Sequence, residues 1–94
     1  MKIRGLIWYT DIIEKLEVKH GVSQSEVREV LNSKPRFRFI EKGHRPDEDV
    51  YSASGQTEEG RYLIVFFVYK KDKRALILSA REMEHTERKT YAKK

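Results

Sequence analysis

Two arginines carry the strongest chemical signal in this chain. Arg61 opens the apolar run Arg61-Tyr62-Leu63-Ile64-Val65-Phe66-Phe67-Val68-Tyr69, and Arg81 closes the run Ala75-Leu76-Ile77-Leu78-Ser79-Ala80-Arg81. The charged turn Lys70-Lys71-Asp72-Lys73 joins the two, so they read as antiparallel neighbours. That reading puts Arg61 and Arg81 at the same edge of one hairpin. Two guanidinium groups side by side would clamp a phosphodiester. Arginine stays protonated, so such a clamp binds phosphate and stabilises charge growing on its oxygens, and is not a conventional acid. The plainer alternative is a pair of strand-end charges in solvent.

Downstream, Glu87 and Tyr91 are four residues apart and share one helix face. Glu87 can orient Arg81 or act as a base, and Tyr91 can donate a proton or stack on a nucleobase. Equally, Glu87 can be an exposed charge and Tyr91 a helix anchor. Arg36 and Arg38 share a strand face, Lys42 and His44 sit in a basic loop, and Lys70 and Lys71 sit in the hairpin turn. Together these six form a candidate RNA-tracking surface, giving affinity without sequence preference. They also fit charges that protect a sheet edge from aggregation. His20 reads as a cap or packing group at a helix end, and His85 as a surface residue. The three histidines are far apart and there is no cysteine, so no metal-ligand spacing exists. Neither metal nor cofactor is expected.

Composition narrows the partner. With 94 residues the chain is long enough for one domain, expected over 1–94, and too short for two. A formal charge of +5 fits a polyanionic partner such as RNA, DNA or an acidic protein, and also fits a merely basic protein. The lack of cysteine removes disulfides and thiolate catalysis. No apolar run approaches the roughly 20 residues of a membrane span, and no signal-peptide pattern opens the chain. A cytoplasmic protein with no membrane partner is expected.

The elements that must position these residues follow from periodicity. Residues 2–9 read as a first strand. Thr10-Asp11 offers a helix N-cap, Ile12, Ile13 and Leu16 follow at helical spacing, and Gly21 closes that helix. Ser23 and Glu26 form a capping box for a second helix, with Val22 and Val27 placed as its hydrophobic staple. Val27, Val30 and Leu31 give its apolar stripe. Pro35 ends it and biases Lys34 toward extended backbone. Strands follow at 36–40 and 50–55, then the two strong strands, of which 63–68 is apolar on both faces and suits a central position. Residues 82–93 read as a terminal helix. The order β-α-α-β-β-β-β-α implies an α+β fold, a mostly antiparallel sheet with the helices on one face.

Three segments together resemble the BrnT family of toxins. Lys19-His20-Gly21-Val22-Ser23 is similar to its helix-break motif. Gly55-Gln56-Thr57-Glu58-Glu59-Gly60-Arg61-Tyr62-Leu63-Ile64-Val65 is similar to its glycine-turn-glycine-arginine strand entry. Leu78-Ser79-Ala80-Arg81-Glu82-Met83, followed by Glu87 and Tyr91, matches its serine-alanine-arginine signature and the helix after it. The motifs occur in order and span about residues 6–92. The resemblance implies a RelE-like fold with two N-terminal helices and a C-terminal helix. It implies a type II ribonuclease toxin that cleaves RNA without a metal, with Arg61, Arg81, Glu87 and Tyr91 as its catalytic candidates. It also implies a cognate ribbon-helix-helix antitoxin that neutralises the toxin and through which operator DNA is bound. Two departures stand out. Val50 occupies the place of a family arginine on the strand before the glycine turn, and Trp8 is followed by Tyr9 and Thr10 where an acidic residue is usual. The alternative is therefore a catalytically impaired member, kept as a nucleic-acid-binding or antitoxin-binding corepressor module.

Overall fold

A computed structural model of the chain describes residues 1–93; Lys94, the last residue of the expected domain, lies outside them. Strand β1 (Gly5–Ile7) leads into helix α1 (Thr10–Lys15), which continues as a π-helical segment, Leu16–His20. Helix α2 (Gln24–Asn32) follows, then β2 (Arg36–Glu41), β3 (Val50–Gln56), β4 (Tyr62–Tyr69), β5 (Arg74–Glu82) and α3 (His85–Ala92).

The strands form one five-stranded sheet in the order β1-β5-β4-β3-β2. The antiparallel meander β2 to β5 is as the sequence predicts, and doubly apolar β4 is its central strand. The first strand is shorter than predicted and pairs in parallel with β5, so the sheet is mixed. Among the described residues no helix is long and apolar enough to cross a membrane.

The core lies between one face of the sheet and the first two helices. Leu16, Val22, Val27 and Val30 meet Leu63, Val65, Phe67 and Ile77 there, all buried. Burying each such side chain is worth roughly 1.5–3 kcal/mol, so this layer dominates the stability. The capping box is present, with the Glu26 amide 3.2 Å from Ser23 Oγ and the Ser23 amide 3.1 Å from Glu26 Oε1. Gly21 takes the left-handed conformation at φ 60°, which any Cβ would strain. Gly55 is needed for another reason: a Cβ there would stand 2.9 Å from Ser33 Oγ and 3.1 Å from Val30 Cγ1, where α2 ends against the sheet.

Several local expectations are corrected. Tyr9, not Thr10 or Asp11, holds the N-cap position of α1, and no side chain caps that end. The helix break passes through a π-helical turn, which leaves the Val22 amide bonded to the Leu16 carbonyl at 3.1 Å. Lys34 is left-handed at φ 56° rather than extended, which still meets the steric demand of Pro35 to avoid the right-handed helical region. Most consequentially, α3 does not join α1 and α2. No residue of α3 is buried, so it has no apolar stripe to share their core. It lies on the opposite face, with Tyr91 edge-on to Tyr62 at 6.0 Å.

One irregularity sets the faces of β5. Phe67 pairs with Ile77 but Phe66 pairs with Ser79, so Leu78 is a bulge residue without a partner on β4. Before the bulge odd-numbered residues of β5 face the core, as Ala75 and Ile77 do; after it, even-numbered Ala80 does.

Candidate functional site

Register brings Arg36, Ser54, Ile64 and Arg81 into one row across β2, β3, β4 and β5. Arg38, Ser52, Phe66 and Ser79 form the next row on the same face, because side chains alternate with a period of two. This is the face that α3 covers in part. A cavity of about 400 Å³ opens between helix and sheet, lined among others by Arg36, Arg38, Ser52, Ser54, Glu87 and Tyr91.

Arg81 holds a parallel fork with Glu87, Nη1 to Oε1 at 2.7 Å and Nη2 to Oε2 at 2.9 Å. It also donates to the Glu82 carbonyl at 3.1 Å and lies 5.6 Å from the Phe66 ring centroid. Glu87 accepts a further bond, from the Glu84 amide at 2.8 Å, which secures the first turn of α3. The Arg81 hydrogen bonds hold the Glu87 carboxyl down at about 2, against a partial burial that acts the other way. Glu87 is therefore an anion at neutral pH and a very weak base. The same hydrogen bonds, with the Glu87 charge, raise Arg81 above the ordinary arginine value, so Arg81 stays cationic.

The far end of α3 is held by Arg36, whose Nη1 donates to the Thr90 carbonyl at 3.0 Å and to that of Tyr91 at 3.5 Å. A cation near the last carbonyls also complements the helix dipole. Arg88 lies 4.3 Å above the Tyr62 ring. Two arginines of the sheet thus grip α3 at its two ends, and apolar burial contributes little.

Arg61 lies elsewhere, and the side-by-side clamp is not formed. Its Nη1 donates to both Glu26 oxygens, at 2.8 and 2.7 Å, and to the Gly21 carbonyl at 2.8 Å. Its Nη2 bonds Glu82 at 2.9 Å. These are contacts of the α2 face. The physical reason is strand parity: the bulge at Leu78 turns Arg81 to the α3 face, while Arg61, one residue before Tyr62, turns to the other. Burial pushes the Glu26 carboxyl up, but the Ser23 amide and Arg61 overcome it and hold Glu26 below the ordinary value.

The remaining RNA-binding candidates divide in the same way. Arg36 and Arg38 join the cleft. Lys42 and His44 follow β2, and Lys70 and Lys71 follow β4, at the opposite end of the sheet from Arg81. Lys70 pairs with Glu48 at 2.7 Å; Lys42, His44 and Lys71 are exposed. Sequence reasoning missed Ser52, Ser54, Thr86 and Thr90 in the cleft lining. The alternation of Ser52 and Ser54 on one strand face was the available signal. Among the described residues no group of three His, Asp or Glu could hold a metal ion.

A family model described as the ribonuclease toxin BrnT of type II toxin–antitoxin systems matches residues 8–87. That span takes in Arg36, Arg38, Arg81 and Glu87, and stops short of Tyr91. No curated protein matches the chain. The match covers most of the sequence, including the bulged strand and the start of α3, and on it the chain belongs to the BrnT family of type II ribonuclease toxins.

Proposed function

We propose that the chain is a single RelE-like domain that cleaves RNA without a metal, in the cleft between α3 and the sheet. The observation that carries this reading is that Arg36, Arg38 and Arg81 share one face of the sheet, Arg36 and Arg38 lining the cleft together with Glu87, the partner of Arg81. A guanidinium has five N–H groups. Three of Arg81's contacts go to Glu87 and the Glu82 carbonyl, so two N–H groups remain for a phosphate. Glu87 is a positioning residue in this scheme: it fixes the plane of the Arg81 fork.

The ribose 2′-hydroxyl attacks the adjacent phosphorus and loses its proton to solvent. The P–O5′ bond breaks, leaving a 2′,3′-cyclic phosphate and a 5′-hydroxyl whose oxygen takes up a proton. Arg81, with Arg36 and Arg38, stabilises the charge that grows on the non-bridging oxygens. Tyr91 lines the cleft and supplies either the proton for the leaving oxygen or a ring on which a base stacks. The remaining basic residues of the far end, Lys42, His44, Lys70 and Lys71, add affinity along the RNA rather than chemistry. Arg61 is the hinge pin between the hairpin and α2. A protein antitoxin, which we take to be of ribbon-helix-helix type, neutralises the enzyme in the cytoplasm, and operator DNA is bound through it.

The test is cleavage of labelled RNA in EDTA by antitoxin-free protein beside Arg81→Ala. Cleavage by the parent alone, with cyclic-phosphate ends, is the expected result. Cleavage that needs a divalent ion, or that the variant retains in full, overturns the mechanism. A second reading, a corepressor module without catalysis, is favoured by Val50. It stands on the cleft face of β3 beside Val68, where the family pattern has an arginine. Folded protein that binds the antitoxin but never cuts RNA would establish that reading instead.

A further inference from the structure

A second groove lies on the other side of the sheet, and nothing in the proposed chemistry uses it. It has a volume of about 570 Å³ and runs between the N-terminal segment, α2 and the start of β2. Its rim carries Lys2, Arg4, Arg28 and Lys34, and none of its lining residues is acidic. None of these four cations forms an ion pair among the described residues. By contrast, Arg61, Lys70, Arg74 and Arg81 all have carboxylates within ion-pair distance. The groove thus gathers four cations without an ion pair around a lining that holds no carboxylate.

Its floor is apolar. Ile3, Leu6, Leu31 and Phe37 line it, half-buried against the core. The apolar surface continues along β2, where Phe39 shares the face of Phe37 and is 51% exposed, edge-on to Tyr51. Beside it Ile40 is 40% exposed. β2 is also an edge strand, so its outer backbone groups are open to a further strand.

A phosphodiester backbone would use the cations alone. A polypeptide with apolar residues alternating with carboxylates would use the cations, the apolar floor and the strand edge together. We infer that this groove and the adjoining edge of β2 dock an acidic, amphipathic segment of the protein antitoxin. The partner's identity rests on the toxin reading above; the chemistry of the segment rests on the groove. The antitoxin would then hold the toxin on the face away from the RNA cleft, leaving a separate part of it to reach around β2 to the arginines.

The test is a titration of the ¹⁵N-labelled full chain with two probes, a short peptide alternating leucine and glutamate, and an uncleavable 2′-O-methyl oligouridylate. The peptide is expected to shift the amides of residues 2–6, 28–34 and 37–40. The double reversal Lys2→Glu/Arg28→Glu should weaken it at least about tenfold, with the amide spectrum otherwise retained. Lys42→Glu/Lys71→Glu, the same charge change at the far end of the sheet, should weaken it less than about threefold. Peptide shifts spread over the whole surface, equal losses in both double variants, or groove shifts from the oligonucleotide alone would each overturn the inference. RNA cleavage is assayed on the parent protein. No cleavage with peptide binding intact would sink the enzyme reading and leave the groove; cleavage without groove binding would do the reverse.

Discussion

Arg61 and Arg81 stand at the same end of the same hairpin, and their surroundings give them different work. Arg61 is wedged between Glu26, Glu82 and the Gly21 carbonyl on the core side, with all its partners supplied by the protein. Arg81 is braced by a single carboxylate, Glu87, which itself lines an open cleft. Residue type and position along the chain are nearly equivalent for the two. What separates them is the face of the sheet, and whether the bracing leaves donors over.

The comparison is broken most directly by truncation. Arg81→Ala should lower RNA cleavage by about 100-fold or more, the scale of losing one transition-state donor, with the fold retained. Arg61→Ala should leave cleavage within about threefold. Full cleavage by Arg81→Ala, or none by a folded Arg61→Ala, would invert the assignment. The second variant should show its effect in urea denaturation instead, with a loss of roughly 1–2 kcal/mol, because Glu26 is only 22% exposed and would keep the Ser23 amide alone.

A finer test compares Glu87→Gln with Glu87→Ala. The amide keeps a hydrogen-bonding partner for Arg81 and should lose about tenfold in cleavage, while alanine frees the guanidinium and should lose more, mainly in kcat. Equal behaviour of the two would mean that Glu87 is not a positioning residue.

Acid should separate the two regions as well. Glu87 is held at about 2 against an ordinary 4.5, so its contribution to docking α3 is full above about 4.5 and is lost as pH falls toward 2. Glu26 is also lowered and weakens in the same direction, but α2 keeps its buried valines. Ring resonances of Tyr62 and Tyr91 should therefore lose their mutual contact at a higher pH than the α2 amides lose protection from exchange. The smallest effect belongs to the far end of the sheet. Lys71→Ala should change cleavage by less than about twofold and lower the salt dependence of RNA binding slightly.

Much of the fold was legible in the residues. Ser23 and Glu26 announced α2, Gly21 its predecessor's end, and the doubly apolar 63–68 its central place in the sheet. Each of these is a local signal, complete within a few residues. The site was legible only as a list. Arg36, Arg38, Arg81, Glu87 and Tyr91 could be named, but nothing in their spacing said that they meet while Arg61 and the lysines do not. The polar character of residues 85–92 could have kept α3 from the core layer, since a helix without an apolar stripe has no reason to enter it. The π-helical turn at Leu16–His20 has no sequence pattern of its own. The face of Arg81 depended on pairing between strands, which one chain read alone does not contain.

Leu78 illustrates this most sharply. Were Leu78 paired with Phe66 instead of bulged, every charged and aromatic group of the cleft would still be in the chain, but continuous pairing would bring Arg81 opposite Leu63, on the side of α2. For this molecule a frame of counting, odd or even, is as much a part of the proposed cleft as any side chain. A slip that pairs Leu78 is accordingly as damaging as loss of Arg81 itself, because it relocates the chemistry without removing it.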